Sequence, residues 1–324
     1  MDISDFVKTF NTWTQNKIPF LFVVDFEMEK PLLFKLDDVD RRKILFDING
    51  FTNVTPGSNP SKPIIRPIEK YPMSLQDYKK KFDLVSEHLR YGDSYLTNLT
   101  VKTEITSSQS LRDLFFFSKA RYKILFDDQF LVFSPEIFVQ IKDGKIFSYP
   151  MKGTIDADIP NAKEIILQDK KELAEHITIV DLIRNDLSQI SSQVSVSRFR
   201  YTDEIKTTTK NLLQVSSEIT GILPDNYLSN LGTLFVSLLP AGSVTGAPKN
   251  KTLEIIREAE MEKRNYYTGV FGYFDGHALD SGVMIRYIEN RNGLFYRSGG
   301  GITAQSVLET EYREMIDKVY VPLD

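Results

Sequence analysis

The sequence contains no cysteine. That excludes disulfides, thiolate metal sites and a cysteine nucleophile. Histidine is nearly as scarce, limited to His88, His176 and His277. A histidine-rich zinc site is therefore not expected. Any metal should be a hard ion held by carboxylates, such as Mg²⁺. Positive charge is not in excess: 40 Lys and Arg face 44 Asp and Glu, for a net charge of −4. No nucleic-acid partner is expected from that balance. No apolar run approaches the roughly 18 residues of a membrane span. The first residues, MDISDFVKTFNTWTQ, lack the basic-then-apolar layout of a signal peptide. These absences fit a cytoplasmic protein without a membrane segment.

What is present is enough for a sizeable core, with 41% apolar residues in 324. FLFVVDF, EMEK and PLLFKL predict an N-terminal hairpin. Residues 52–73 hold five prolines and no clear period, which predicts a long surface connection. It divides a short N-terminal part, 1–73, that adds strands to the same fold from a catalytic part, 74–324. Ser74 can cap a helix in which Leu75, Tyr78, Phe82, Val85 and Leu89 recur at spacings of three and four. Residues 161–190 predict a long helical stretch broken once. FLVFSPEIFVQI, an Asp143-Gly144 turn and KIFSYPMKG predict a second hairpin. Ser306 and Glu309 predict a capping box opening the last helix. Hairpin runs outnumber any βαβ alternation. The expected class is α+β, with mainly antiparallel sheets and helices packed outside.

Several stretches could carry chemistry. Glu172 and Glu175 are one helical turn apart, as are Glu311 and Glu314, with Lys318 on the same face as the second pair. Arg184 and Asp186 nearby imply internal ion pairs. A buried carboxylate needs a partner, and a divalent cation is one. SGGGIT (298–303) offers backbone N–H groups with little bulk, suited to an anion or equally to a flexible turn. PAGSVTGAPK (240–249) fails the phosphate-loop spacing but presents the hydroxyls of Ser243 and Thr245. Arg286 alternates with strand apolars in VMIRYI and could pair with a carboxylate. Glu136 and Lys152 should approach each other across the second hairpin, an acid and an amine in one cleft. Taken singly, each of these residues is as well explained by a solvated surface.

Together the segments resemble the chorismate-utilising enzymes, the catalytic components of anthranilate, aminodeoxychorismate and isochorismate synthases. The matching text is GDSYLTNLT (92–100), SPEIF (134–138), PMKGT (150–154), EHITIVDLIRND (175–186), PAGSVTGAPK, YYTGVFGY (266–273), IRY (285–287) and GGGITAQSVLETEYREMIDK (299–318). The resemblance covers about residues 75–320. It implies two packed β-sheets with helices on both outer faces. It places Mg²⁺ between Glu175 and Glu314, with Glu172 and Glu311 as close neighbours. Tyr267, Arg286 and the backbone of Gly299 and Gly301 would hold the enolpyruvyl carboxylate of chorismate. Ser243, Thr245 and Thr154 would add hydrogen bonds, and Lys318 would balance charge.

Within the family, the lysine of PMKGT resembles the mark of aminodeoxychorismate synthases. The resemblance makes Glu136 the general acid and Lys152 the nucleophile, which requires a lowered lysine pKa. The implied product is 4-amino-4-deoxychorismate, a precursor of 4-aminobenzoate and folate. Ammonia would come from a separate glutamine amidotransferase subunit, because a chain without cysteine has no glutaminase nucleophile. Leu96 stands where water-using members carry a base lysine. His176, following Glu175, is similar to anthranilate synthases and supports that alternative. Isochorismate synthase and a non-catalytic chorismate-binding protein are the remaining readings.

Overall fold

A computed structural model describes residues 1–55, 67–206 and 211–322. Half of the proline-rich connection, residues 56–66, lies outside these residues. Helix α1 (Ile3–Gln15) precedes β1 (Phe20–Val24), β2 (Leu32–Lys35), β3 (Ile44–Ile48), β4 (Phe51–Thr52) and β5 (Glu69–Tyr71). Helix α2 (Leu75–Tyr91), β6 (Leu96–Thr106) and α3 (Leu111–Phe117) follow. Five strands come next: β7 (Tyr122–Phe126), β8 (Phe130–Ser134), β9 (Ile137–Lys142), β10 (Lys145–Ser148) and β11 (Met151–Asp156). After α4 (Ala162–Gln168) and α5 (Lys170–Ser188) come β12 (Ser192–Lys206), β13 (Asn211–Ile222) and α6 (Tyr227–Ser237). The two-residue β14 (Gly246–Ala247) and α7 (Lys249–Glu260) lead into β15 (Val270–Phe274), β16 (Leu279–Val283), β17 (Tyr287–Asn290) and β18 (Leu294–Ile302). Helix α8 (Leu308–Asp317) is last.

The strands form two antiparallel sheets. One runs β11-β13-β10-β9-β16-β15-β1-β2, with β12 on the free side of β13. The other runs β14-β6-β18-β17-β8-β7-β3-β4, with β5 beside β6. The short N-terminal strands enter both sheets, β1 beside β15 and β3 beside β7.

The run FLFVV of β1 is buried at every position because both its faces are covered. Phe20, Phe22 and Val24 pack with Phe6 and Phe10 of α1 and Phe235 of α6. Leu21 and Val23 point the other way, toward Ile124 and Val132 of the second sheet. The outer face of that second sheet is covered by α2 and α8, with Leu99, Val101 and Ile302 against Tyr78, Phe82 and Met315. The α+β architecture expected from sequence is the one observed, with helices on both outer faces. The segment 227–244 is long and apolar enough for a membrane span, but half of it is buried and only 227–237 is regular helix.

Three local expectations change. The stretch FLVFSPEIF is not one hairpin strand: β8 belongs to the second sheet and β9 to the first. Pro135 and Glu136 carry the chain between sheets. The return crossing is Met284–Arg286, between β16 and β17, so Arg286 lies outside any strand with φ +53°. The two crossings are tied, Val283 N–H to Glu136 carbonyl at 3.1 Å and Phe133 N–H to Arg286 carbonyl at 3.1 Å. The Ser306–Glu309 capping box is absent, because the N-cap is Val307 and Ser306 Oγ donates to Glu311 at 2.8 Å.

Candidate active site

A cavity of about 650 Å³ opens where the two sheets part, beside the two crossings. Helix α5 forms one wall. Lys171, Glu175, Ile179, Ile183 and Asp186 line it at helical spacing, along roughly 22 Å of helix at 1.5 Å per residue. Glu136, Lys152, Thr154, Glu175, Ser243, Tyr267, Arg286, Gly299, Gly301, Glu314 and Lys318 all reach this cavity.

Lys152 arrives by an unexpected route. The Asp143-Gly144 hairpin pairs only through Phe147↔Gln140, so Lys152 is not opposite Glu136 in any ladder. Strand β11 pairs with β13 instead, and its register shifts between Met151↔Ser216 and Thr154↔Gln214. Lys152 and Gly153 together oppose one residue, a bulge that re-aims the lysine. Gly153 has φ +87°, and a Cβ there would lie 2.9 Å from Glu172 Oε2. Gly153→Ala is expected to lower stability by about 1–3 kcal/mol and to lower kcat more than it raises the KM for substrate. Unchanged melting temperature and kcat would show that the bulge does not aim Lys152.

Lys152 Nζ lies 2.9 Å from Glu175 Oε2. Burial pulls its pKa down, but the contact with Glu175 and the charges of Glu314 and Glu172 outweigh it and hold the ammonium above the ordinary lysine value. This reverses the expectation of a lowered pKa. The apolar text IFSYPM supplies burial, but acidic neighbours from α5 and α8 decide the sign.

Glu314 Oε1 lies 2.6 Å from Lys318 Nζ. Burial would raise its carboxyl, and Lys318 reverses that to a lowered value. Glu172 and Glu311 do not line the main cavity. Burial raises both, with Glu175 adding to the rise of Glu172 and Glu314 to that of Glu311. Four carboxylates thus face the ammoniums of Lys152, Lys171 and Lys318. Oxygen donors of this kind suit a hard divalent cation. The Lys152 ammonium, in the field of Glu175, Glu314 and Glu172, stands in for one. Among the described residues no three acidic or histidine side chains form a ready cage. Two carboxylates completed by substrate oxygens and water fit Mg²⁺ better than an all-protein cage.

Glu136 accepts from Ser243 Oγ at 2.5 Å. Burial raises its pKa, and Ser243, Lys318 and Lys152 only partly offset that. A carboxyl whose proton is held more tightly by burial suits a general acid.

The glycines at 299–301 lie within β18, not in a turn after it. Thr100 N–H donates to Glu260 and Asn98 N–H to the Thr245 carbonyl, so neither bonds its partner on β18. Opposed residues in an antiparallel ladder bond twice or not at all. Gly299 and Gly301, opposite Thr100 and Asn98, therefore aim N–H and C=O away from β6. Strand β17 covers β18 only over 294–297, so those groups face the cavity. The Gly299 carbonyl is taken by Lys318 Nζ at 2.8 Å, leaving two N–H donors for an anion. Tyr267 is 3% exposed, and burial pushes its phenol up to about 12. Its hydroxyl has no hydrogen-bond partner among the described residues. Arg286 donates to the Lys318 carbonyl at 3.1 Å.

Four expected site residues stand back from the cavity. Thr245 is fully buried and its hydroxyl donates to the Ala241 carbonyl at 2.9 Å, so it shapes the 240–247 loop and does not face a ligand. His176 is also fully buried. Its Nε2 is 2.7 Å from Ser217 Oγ, and burial followed by the Arg200 charge lowers its pKa to about 4. Glu172 lies under Gly153, and Glu311 bonds Ser306. The expected Arg184–Asp186 grouping also separates: Arg184 pairs with surface Asp181, and Asp186 pairs with Lys249 at 3.1 Å.

Sequence reasoning missed three wall residues. Asn98 donates to the Ser243 carbonyl at 3.0 Å. Lys171 lies 3.8 Å from Glu175 Oε1. Arg297 is 1% exposed and 5.8 Å from the Tyr267 ring. Each sits inside or beside a quoted motif, and no spacing rule singles it out.

A two-sheet fold with an acidic, lysine-bearing cavity between its crossings defines a class of enzyme, and the sequence comparison gives the same class. The chain belongs to the chorismate binding enzyme family, whose model matches residues 35–324. It is 47% identical to an uncharacterized PabA-like protein of Haemophilus influenzae, over 98% of this chain and 97% of the relative. It is 34% identical to aminodeoxychorismate synthase component 1 of Klebsiella aerogenes, over 76% of this chain but 57% of that longer protein. Among solved structures it is similar to anthranilate synthase component I of Streptococcus pneumoniae. That likeness has a TM-score of 0.67 and 27% identity, over 82% of this chain and 61% of that one.

Proposed function

We propose that this chain aminates chorismate at ring carbon 4, giving 4-amino-4-deoxychorismate and water. One observation carries the reading: Lys152 on β11 and Glu136 on the crossing between β8 and β9 open onto one cavity, with the lysine aimed by a bulge. In this mechanism Arg286, Tyr267 and the N–H groups of Gly299 and Gly301 hold the enolpyruvyl carboxylate. Glu136 gives its proton to the hydroxyl leaving carbon 4. Lys152, released from Glu175 and neutral, forms its N–C bond at carbon 2 as the ring double bond shifts. Ammonia then adds at carbon 4, the double bond shifts back and the lysine leaves. Ser243 keeps the Glu136 carboxyl oriented, and Thr154 borders the same space.

Glu175 and Glu314 would hold Mg²⁺, which when bound neutralises the charge of the ring carboxylate. Relatives named component 1 support a separate amidotransferase partner as the ammonia source. The product would then feed 4-aminobenzoate and folate synthesis. A second reading, anthranilate synthase, is favoured by His176 and by the pneumococcal structure. Incubation with chorismate, ammonium and Mg²⁺, followed by product identification, separates the two. 4-Amino-4-deoxychorismate is expected; anthranilate with pyruvate would sink the first reading.

A further inference from the structure

We infer that Lys152 and a divalent cation compete for the Glu175 carboxylate, so that the amine is released into the cavity only when the cation has taken its place. The inference rests on the metal reading above and deepens it. Both carboxylates assigned to the cation are already occupied by lysines. Glu175 Oε2 holds Lys152 Nζ at 2.9 Å, and Glu314 Oε1 holds Lys318 Nζ at 2.6 Å. The two lysines differ in what else retains them. Lys318 also donates to the Gly299 carbonyl at 2.8 Å, so it keeps a partner if Glu314 turns away. For Lys152 the ion pair with Glu175 is the side-chain contact that the structure shows.

Lys152 also has somewhere to go. Its side chain is 40% exposed, it stands on the bulge of β11, and the cavity lies in front of it. Strand β11 pairs with β13 on one side, so the lysine is not sealed in by a further strand. A cation seated on Glu175 would place like charges within a few ångströms, which a partly buried site does not tolerate. The same displacement would move the amine away from Glu175 and into the cavity that Glu136 also lines. Lys171 supplies an internal control. It carries the same charge at 3.8 Å from Glu175 Oε1, but its side chain is 72% exposed and makes no hydrogen bond there.

The test is direct titration of the full chain with Mn²⁺, at fixed ionic strength and without chorismate, following free Mn²⁺ by paramagnetic resonance. Lys152→Met is expected to bind Mn²⁺ about five- to tenfold more tightly than the unaltered chain, because a partly exposed ion pair no longer has to be broken. Lys171→Met is expected to change binding about twofold or less, since an exposed charge is screened. Lys152→Gln repeats the measurement should the methionine variant fail to fold. Equal or weaker binding in the Lys152 variants overturns the inference. So does an equal gain in Lys171→Met, which would reduce the effect to net charge, and so does the absence of binding in every variant. Failure of the proposed reaction is read separately. A chain that makes anthranilate yet tightens in Lys152→Met keeps this inference. One that makes 4-amino-4-deoxychorismate without tightening loses it.

Discussion

Lys152→Ala is expected to lower the rate of 4-amino-4-deoxychorismate formation by about three orders of magnitude, within the range for loss of a positioned catalytic side chain. The substitution removes the amine and leaves the bulge intact, because Gly153 keeps φ +87° and Glu172 keeps its place beneath it. Substrate binding should change little. The groups assigned to the carboxylate are Arg286 before β17, Tyr267 before β15 and the N–H groups of Gly299 and Gly301 on β18, and none lies on β11. The signature is therefore a fall in kcat with a nearly constant KM, as expected when an interaction made only in the transition state is lost. Chorismate consumption with ammonium and Mg²⁺, followed by chromatography, measures it. Turnover within about tenfold of the unaltered chain would remove Lys152 as nucleophile and leave it as a counter-charge for Glu175.

The elements differ in how plainly the sequence encodes them. Helix α2 was fully legible: Ser74 caps it, Gly92 ends it with φ +87°, and the apolar spacing matches its buried face. The break between α4 and α5 was legible too, and it falls at Asp169, which caps α5. The strand crossings were not. SPEIF and MIRY have the same apolar alternation as a strand that stays in one sheet, and only pairing partners distinguish the two. The sign of the Lys152 shift was equally hidden. Local text gave burial, while Glu175 and Glu314 come from helices far apart in sequence, and their charges prevail. Thr245 shows the limit of motif reasoning. It sits in a matching segment, yet its hydroxyl turns inward to the Ala241 carbonyl.

The buried pair Arg264–Glu260 was the least visible feature. At i,i+4 it looks like an ordinary solvated helix pair, yet the side chains are 1% and 2% exposed. Arg264 NH2 donates to Glu260 Oε1 at 2.6 Å and to the Asn98 carbonyl at 2.7 Å, and NH1 donates to the Val244 carbonyl at 2.8 Å. Glu260 in turn accepts from Thr100 N–H at 2.8 Å. One guanidinium therefore fixes β6 and the 240–247 loop, two of the cavity walls. Arg264→Ala would leave the Glu260 carboxylate without its counter-charge, held only by Thr100, and would remove the guanidinium donor from two carbonyls in the core. The expected loss is about 3–5 kcal/mol, or about 5–8 °C in melting temperature for a chain of this length. Arg264→Lys keeps the charge but reaches fewer acceptors, so it should fall between the two. Thermal unfolding measured for all three proteins decides the matter. If Arg264→Ala melts within 1–2 °C of the unaltered chain, water replaces the guanidinium, and the walls around Asn98 and Ser243 are held by the sheets alone.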